Sequence, residues 1–197
     1  AQLFISIPAA FGVSVLAATL VPWFFGNDFE ALKVFIPIIA PVIIIMPIGI
    51  AISNQYLLPR GNTKIYAIST FGGAAISILL NFTLIPILGV VGSVLTSLIV
   101  ETFVTVFRLI YLNKQTKFTF DGNLILRIVA SATVMALMIV VTTNGMNATF
   151  VTTLVQIFIG VVTYAGCSTA LKVPFLKDLF IFLKGKLYQS KRYKVKN

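Results

Sequence analysis

Glu101 is the residue whose type and place most invite chemistry. It is the single charge between positions 90 and 107, inside a run of otherwise apolar and small residues. An acid in the middle of a hydrocarbon layer costs on the order of 2.5–3.5 kcal/mol unless it is paired or hydrated. Ser93, Ser97, Glu101, Thr105 and Arg108 fall within about 120° of one another on a helix turning roughly 100° per residue. The opposite side carries Val, Leu, Ile and Phe. Such a stripe faces other helices or a water-filled cavity. It suits a group for ion coupling or for substrate hydroxyls, and it equally suits a structural glutamate bonded to neighbouring helices. Arg108 fits the same cavity or a snorkelling anchor at the interface.

Other polar signals are fewer. Thr70, Gly73, Ser77 and Asn81 share one helical stripe, where small residues allow close approach and Asn81 can bond across the contact. Gln156, Gly160, Thr163 and Cys167 align in the same way. Pro37, Pro41 and Pro47 fall within one span. Each removes a backbone donor and crowds the preceding turn, so this span is expected to be kinked or locally unwound, as a hinge or as a static bend. Ser53-Asn54-Gln55 adds a polar cluster near its end.

Much other chemistry is excluded. The chain has no His and one Cys, Cys167, so the usual zinc and haem ligands and any internal disulfide are lacking. Its five acids, Asp28, Glu30, Glu101, Asp121 and Asp178, are scattered, which argues against paired-carboxylate catalysis. No cofactor, metal site or enzymatic activity is expected. The net charge of +10 comes from residues flanking apolar runs, so nucleic acid is not the expected partner.

The elements that position these residues are membrane spans. Of 197 residues, 58% are hydrophobic and 10% charged, with a mean hydropathy of +1.03. An ordinary soluble domain is about 25% charged, so this chain cannot cover a surface facing water. Residues 1–27, 34–59, 65–100 and 128–171 carry no charge. A helix needs about 20 residues to cross the hydrocarbon core. Turns at Pro86–Gly89 and Asn144–Thr149 divide the longer windows in two. The runs are continuous rather than alternating, which favours helices over a barrel. The pattern predicts an all-α transmembrane bundle of six spans: about 3–25, 34–58, 65–86, 90–112, 125–143 and 150–171. No internal repeat is evident.

Fourteen of the fifteen Lys and Arg lie on one side of these spans, and Lys33 is alone on the other. The positive-inside rule then predicts a cytoplasmic C-terminus and a multi-pass protein of the cell membrane. The first residue is Ala and no charged leader precedes the first apolar run, so that run is not expected to be a signal peptide. The chain is expected to be the C-terminal piece of a longer membrane protein. Its last part, 172–197, is a basic cytoplasmic tail. Residues 173–184 could lie as a short helix on the membrane surface, with the following cations either drawn to anionic headgroups or serving as a topology anchor.

Three stretches carry a family resemblance: Val21-Pro22-Trp23-Phe24-Phe25-Gly26-Asn27-Asp28-Phe29, then Leu79 to Ser93 with Asn81, Ile85-Pro86, Gly89 and Gly92, and the continuation to Glu101. Over about residues 1–115 the chain resembles the C-terminal half of polysaccharide-biosynthesis flippases of the multidrug/oligosaccharidyl-lipid/polysaccharide exporter superfamily. The resemblance implies that these are the ninth to fourteenth helices of a 14-helix exporter. Residues 1–115 would belong to the second of two lobes, 116–171 would hold two additional helices, and the piece alone would not transport. It also implies alternating access for a polyprenyl-diphosphate-linked oligosaccharide repeat unit, carried from the cytoplasmic to the outer leaflet and coupled to a proton or sodium gradient. Glu101, Ser97, Thr105, Arg108 and Asn81 are the expected cavity residues, with Pro37, Pro41 and Pro47 as hinges. A drug or ion antiporter and a lipid II flippase of the same superfamily are the alternatives. A membrane-embedded sugar polymerase would need a larger polar outward loop, and a non-transporting scaffold would leave Glu101 and the three prolines without a reason.

Overall fold

The computed structural model describes residues 2–173, and all regular structure among them is helical. Six helices are long and apolar enough to cross a membrane: Gln2–Phe25, Leu32–Leu57, Thr63–Leu88, Val90–Thr116, Gly122–Thr143 and Phe150–Ala170. They are the first to sixth spans below, and the expected boundaries agree with them to within about four residues. The tail expected at 172–197 lies outside the described residues beyond Val173.

The spans form two groups. The first, fifth and sixth pack on one another, and the second, third and fourth form the other set; the first span's contacts with the second join them. The first group holds the larger buried cluster, built on Phe4, Ile7, Ile128, Ala132, Met135 and Ile139. Polar contacts pin the sixth span to the first. Trp23 Nε1 donates to Thr153 Oγ1 at 2.8 Å. Gln156 Nε2 donates to Thr19 Oγ1 at 3.0 Å and to Thr143 Oγ1 of the fifth span at 2.9 Å. The Tyr164 hydroxyl donates to the Phe4 carbonyl at 2.7 Å. Pro8 has no N–H with which to serve that carbonyl in the usual i to i+4 pattern, and Tyr164 supplies a donor from another helix.

The second span is two helices in series, Leu32–Ile39 and Val42–Ile52, broken at Ala40–Pro41 and continued by a wide turn at Ser53–Leu57. The break sits at Pro41 alone, whereas Pro37 and Pro47 lie inside regular helix. After the break the ladder resumes through short-range bonds, Ile43 N–H to the Ala40 carbonyl at 3.0 Å and Ile44 N–H to the Pro41 carbonyl at 2.9 Å. Helix therefore absorbs two of the three prolines, and the irregularity expected in this span falls at Pro41.

The third span continues through Pro86 to Leu88 and turns into the fourth on Gly89 alone, at φ +56°. The turn expected over Pro86–Gly89 is thus shorter than its sequence signal: Pro86 removes only its own donor to the preceding turn, and the Gly89 N–H still reaches the Ile85 carbonyl at 2.8 Å. Gly92 makes so tight a hairpin feasible: a Cβ there would lie 2.5 Å from the Leu84 carbonyl oxygen.

Candidate functional site

The second, third and fourth spans meet around Arg108. Two glycines bring them close. A Cβ on Gly49 would stand 2.5 Å from Thr105 Oγ1, and one on Gly73 would stand 2.5 Å from Val104 Cγ2. Small residues at such positions let helix backbones approach where lipid offers no hydrophobic drive.

Arg108 occupies the junction and is only 7% exposed. Its Nε donates to Ser69 Oγ at 2.9 Å, its Nη2 to Thr70 Oγ1 at 3.0 Å and its Nη1 to the Gly49 carbonyl at 3.3 Å. The guanidinium also lies 5.2 Å from the centroid of the Tyr66 ring, a cation–π distance. The Gly49 carbonyl is shared, since Ser53 Oγ donates to it at 2.9 Å. This arrangement differs from a snorkelling anchor: the cation is drawn inward, because a fork of donors finds acceptors on two neighbouring helices.

Among the described residues no carboxylate lies within ion-pair distance of Arg108, and the one ion pair is Lys33 with Glu30 at 2.8 Å, outside the spans. There the Lys33 ammonium, by hydrogen bond and by charge, holds the Glu30 carboxyl below the usual glutamate range. A guanidinium has five N–H groups, and Arg108 commits three of them among the described residues.

Arg108 and Glu101 line one cleft of about 340 Å³, together with Gly49, Thr70, Gly73 and Ser77. Glu101 is half-buried and stands seven residues from Arg108 on the same span, roughly 10 Å along the helix axis. The cleft thus carries one carboxyl group and one guanidinium about two turns apart on the fourth span, and the hydroxyl residues Thr70 and Ser77 also line it.

The other expected cavity residues lie elsewhere. Thr105 is buried and donates to the Ile45 carbonyl at 3.2 Å, so it braces the second span. Ser97 is exposed and bonds back to the Ser93 carbonyl of its own helix at 3.0 Å. Asn81 donates to Ser77 Oγ at 3.3 Å within the third span, not across an interface as expected. Ser77 lines the cleft and Asn81 does not. The polar stripe read as a unit is therefore divided: Thr105 and Arg108 face the second and third spans, Glu101 the cleft, and Ser97 the outside. Sequence reasoning missed Ser69, Tyr66, Gly49 and the Ile45 carbonyl. Tyr66, Ser69 and Thr70 do share one face at i, i+3 and i+4, which was the available signal for the third span's contribution.

No family model matches the chain, and neither a curated protein nor a solved structure matches it.

Proposed function

We propose that these six spans form part of an alternating-access transporter that moves polyprenyl-diphosphate-linked oligosaccharide from the cytoplasmic to the outer leaflet of the cell membrane. The observation that carries this reading is the buried Arg108, without a carboxylate partner among the described residues, on a cleft it shares with Glu101. A guanidinium fork with uncommitted N–H groups is suited to a phosphate or diphosphate oxygen. The Glu101 carboxylate repels an anion that Arg108 attracts. A proton or a sodium ion on Glu101 removes that repulsion, so coupling ion and anionic substrate load together. The break at Pro41 lies in the span that gives Arg108 its Gly49 carbonyl, and supplies a place for that span to bend as the cleft opens. On this reading the basic loops and the C-terminus are cytoplasmic, and the transporter of which the chain is part moves its cargo without altering its covalent structure.

The test is the leaflet distribution of lipid-linked oligosaccharide in cells that lack their own repeat-unit flippase and carry the whole transporter. Intact protein should move the oligosaccharide outward, and Glu101→Gln should stop that movement at unchanged expression. Transport of nothing across several donor sugars would overturn the reading, leaving Glu101 a packing residue.

A further inference from the structure

The loop between the first and second spans carries a chain of aromatic rings. The first span ends in a wide turn, Val21–Phe25, and Gly26 at φ +90° then redirects the backbone into a single turn of helix, Asn27–Phe29. Glycine adopts that backbone without the strain a side chain would bring. Trp23 is fixed by its hydrogen bond to Thr153 of the sixth span. Four phenylalanines join it. The Trp23 ring meets Phe24 at 5.5 Å and Phe150 at 5.4 Å between centroids, both edge to face. Phe24 meets Phe25 at 4.9 Å, and Phe25 meets Phe29 at 6.3 Å. Aromatic pairs favour such spacings.

The phenylalanines remain open on their other side. Phe24 is 63% exposed, Phe150 55%, Phe29 53% and Phe25 42%. A contiguous apolar patch of this kind marks an interaction surface. Topology fixes its level. Trp23, Phe24 and Phe25 end the first span, Phe29 precedes the second, and Phe150 opens the sixth. All five rings therefore lie where spans leave the membrane at one face. Charges stand among them: Asp28 and Glu30 are exposed, and Lys33 pairs with Glu30 at 2.8 Å. Neither water nor hydrocarbon suits that mixture, since one rejects the rings and the other the charges. The boundary between headgroups and acyl chains accepts both. The patch is also one-sided. The third and fourth spans turn at the same face on Ile87-Leu88-Gly89-Val90, with no aromatic residue.

We infer that the partner of this patch is the lipid interface: Phe24, Phe25, Phe29 and Phe150 lie among the headgroups and upper acyl chains of one leaflet. Trp23 ties that depth to the sixth span through Thr153. The first and sixth spans are thus held at one level in the bilayer by rings that the turn between the third and fourth spans lacks. The inference is independent of the substrate carried.

Tryptophan fluorescence of the full chain in phosphatidylcholine vesicles tests it, because Trp23 is the only tryptophan. Phe24→Trp and Phe29→Trp, each combined with Trp23→Phe, move the reporter onto the exposed rings. Lipid brominated near the headgroup should quench residues 24 and 29 about two-fold more than lipid brominated near the chain ends, as expected for interfacial aromatics. Acrylamide in the water should quench both about five-fold less than it quenches free N-acetyltryptophanamide. The unsubstituted chain gives a second reading that no substitution can disturb: Trp23, half-buried against Phe24 and Phe150, should show the same preference for the shallow bromines. Acrylamide quenching equal to that of the free compound would place the loop in water. Stronger quenching by the deep bromines would place it in the hydrocarbon core. Quenching by neither lipid nor acrylamide would mean that protein covers the patch. Each of these three results overturns the inference.

Discussion

Gly49→Ala should destabilise the bundle although alanine is the better helix former. In an unhindered helix the change stabilises by about 0.8–1.0 kcal/mol. Here the new methyl would sit 2.5 Å from Thr105 Oγ1, and overpacking of that kind costs typically 1–3 kcal/mol. It also displaces the hydroxyl that bonds the Ile45 carbonyl at 3.2 Å, an interaction worth about 0.6 kcal/mol for a polar contact between membrane helices. The net loss is about 1–2 kcal/mol. Thr105→Ala alone removes the hydrogen bond and a little packing, for a loss of about 1 kcal/mol. Together the two changes relieve each other, because without Oγ1 the nearest Thr105 atoms to the new methyl are Cβ at 3.5 Å and Cα at 3.6 Å, ordinary contacts. The double variant should therefore be at least as stable as Thr105→Ala, with a coupling of about 2 kcal/mol, inside the range found for touching residues. Thr105→Ser keeps the oxygen and should give no rescue. Denaturant unfolding of the protein in bicelles, followed by far-ultraviolet circular dichroism, measures all four corners of the cycle. A neutral Gly49→Ala, or equal rescue by serine and alanine, would refute the close approach of the second and fourth spans at this point.

Three further outcomes follow from the same geometry. Arg108→Lys keeps the charge but loses the fork that reaches Ser69, Thr70 and Gly49 at once; it should cost about 1–3 kcal/mol in the same unfolding assay, and Arg108→Met, which removes the buried charge as well as the bonds, should cost less than Arg108→Lys. Gly92→Ala should cost about 1–3 kcal/mol, because the atom its methyl meets is the Leu84 backbone and not a movable side-chain tip. Glu30 titrates below the usual glutamate range because of Lys33, so its contribution to the first loop is present above that range and lost as pH falls through the lowered value; Lys33→Met should return the titration, read by NMR of a labelled glutamate, to the ordinary position.

The number and boundaries of the spans were legible because they depend on one-dimensional facts: charge-free windows, their lengths, and turn residues such as Gly89 and Asn144-Gly145. The site was legible only in part. Glu101 stands out by type alone, since an acid in an apolar run needs a partner or water. Arg108 did not, because its spacing suits a snorkelling anchor as well as a buried fork. The difference is made by Ser69 and Thr70, which lie some forty positions earlier in the chain and reach Arg108 only once Gly49 and Gly73 have let three helices close together. Pro41 could not be told from Pro37 and Pro47 for a related reason: each frees backbone carbonyls, and the packing of neighbouring spans decides where the ladder yields. Asn81 looked like a cross-helix donor, but Ser77 one turn away is a nearer acceptor.

The return of the fifth and sixth spans to the first has a consequence for biogenesis. Thr19 and the Phe4 carbonyl meet Gln156 and Tyr164 only after the intervening spans have been made. Nearly a hundred residues separate the end of the first span from the start of the fifth, roughly 5–20 s of synthesis at 5–20 residues per second. During that interval the first span waits in the bilayer without these partners from the fifth and sixth. The first of these six spans is thus inserted well before its sixth-span partners and packed only after them, which makes it a natural target for any insertase or chaperone that shields incomplete spans.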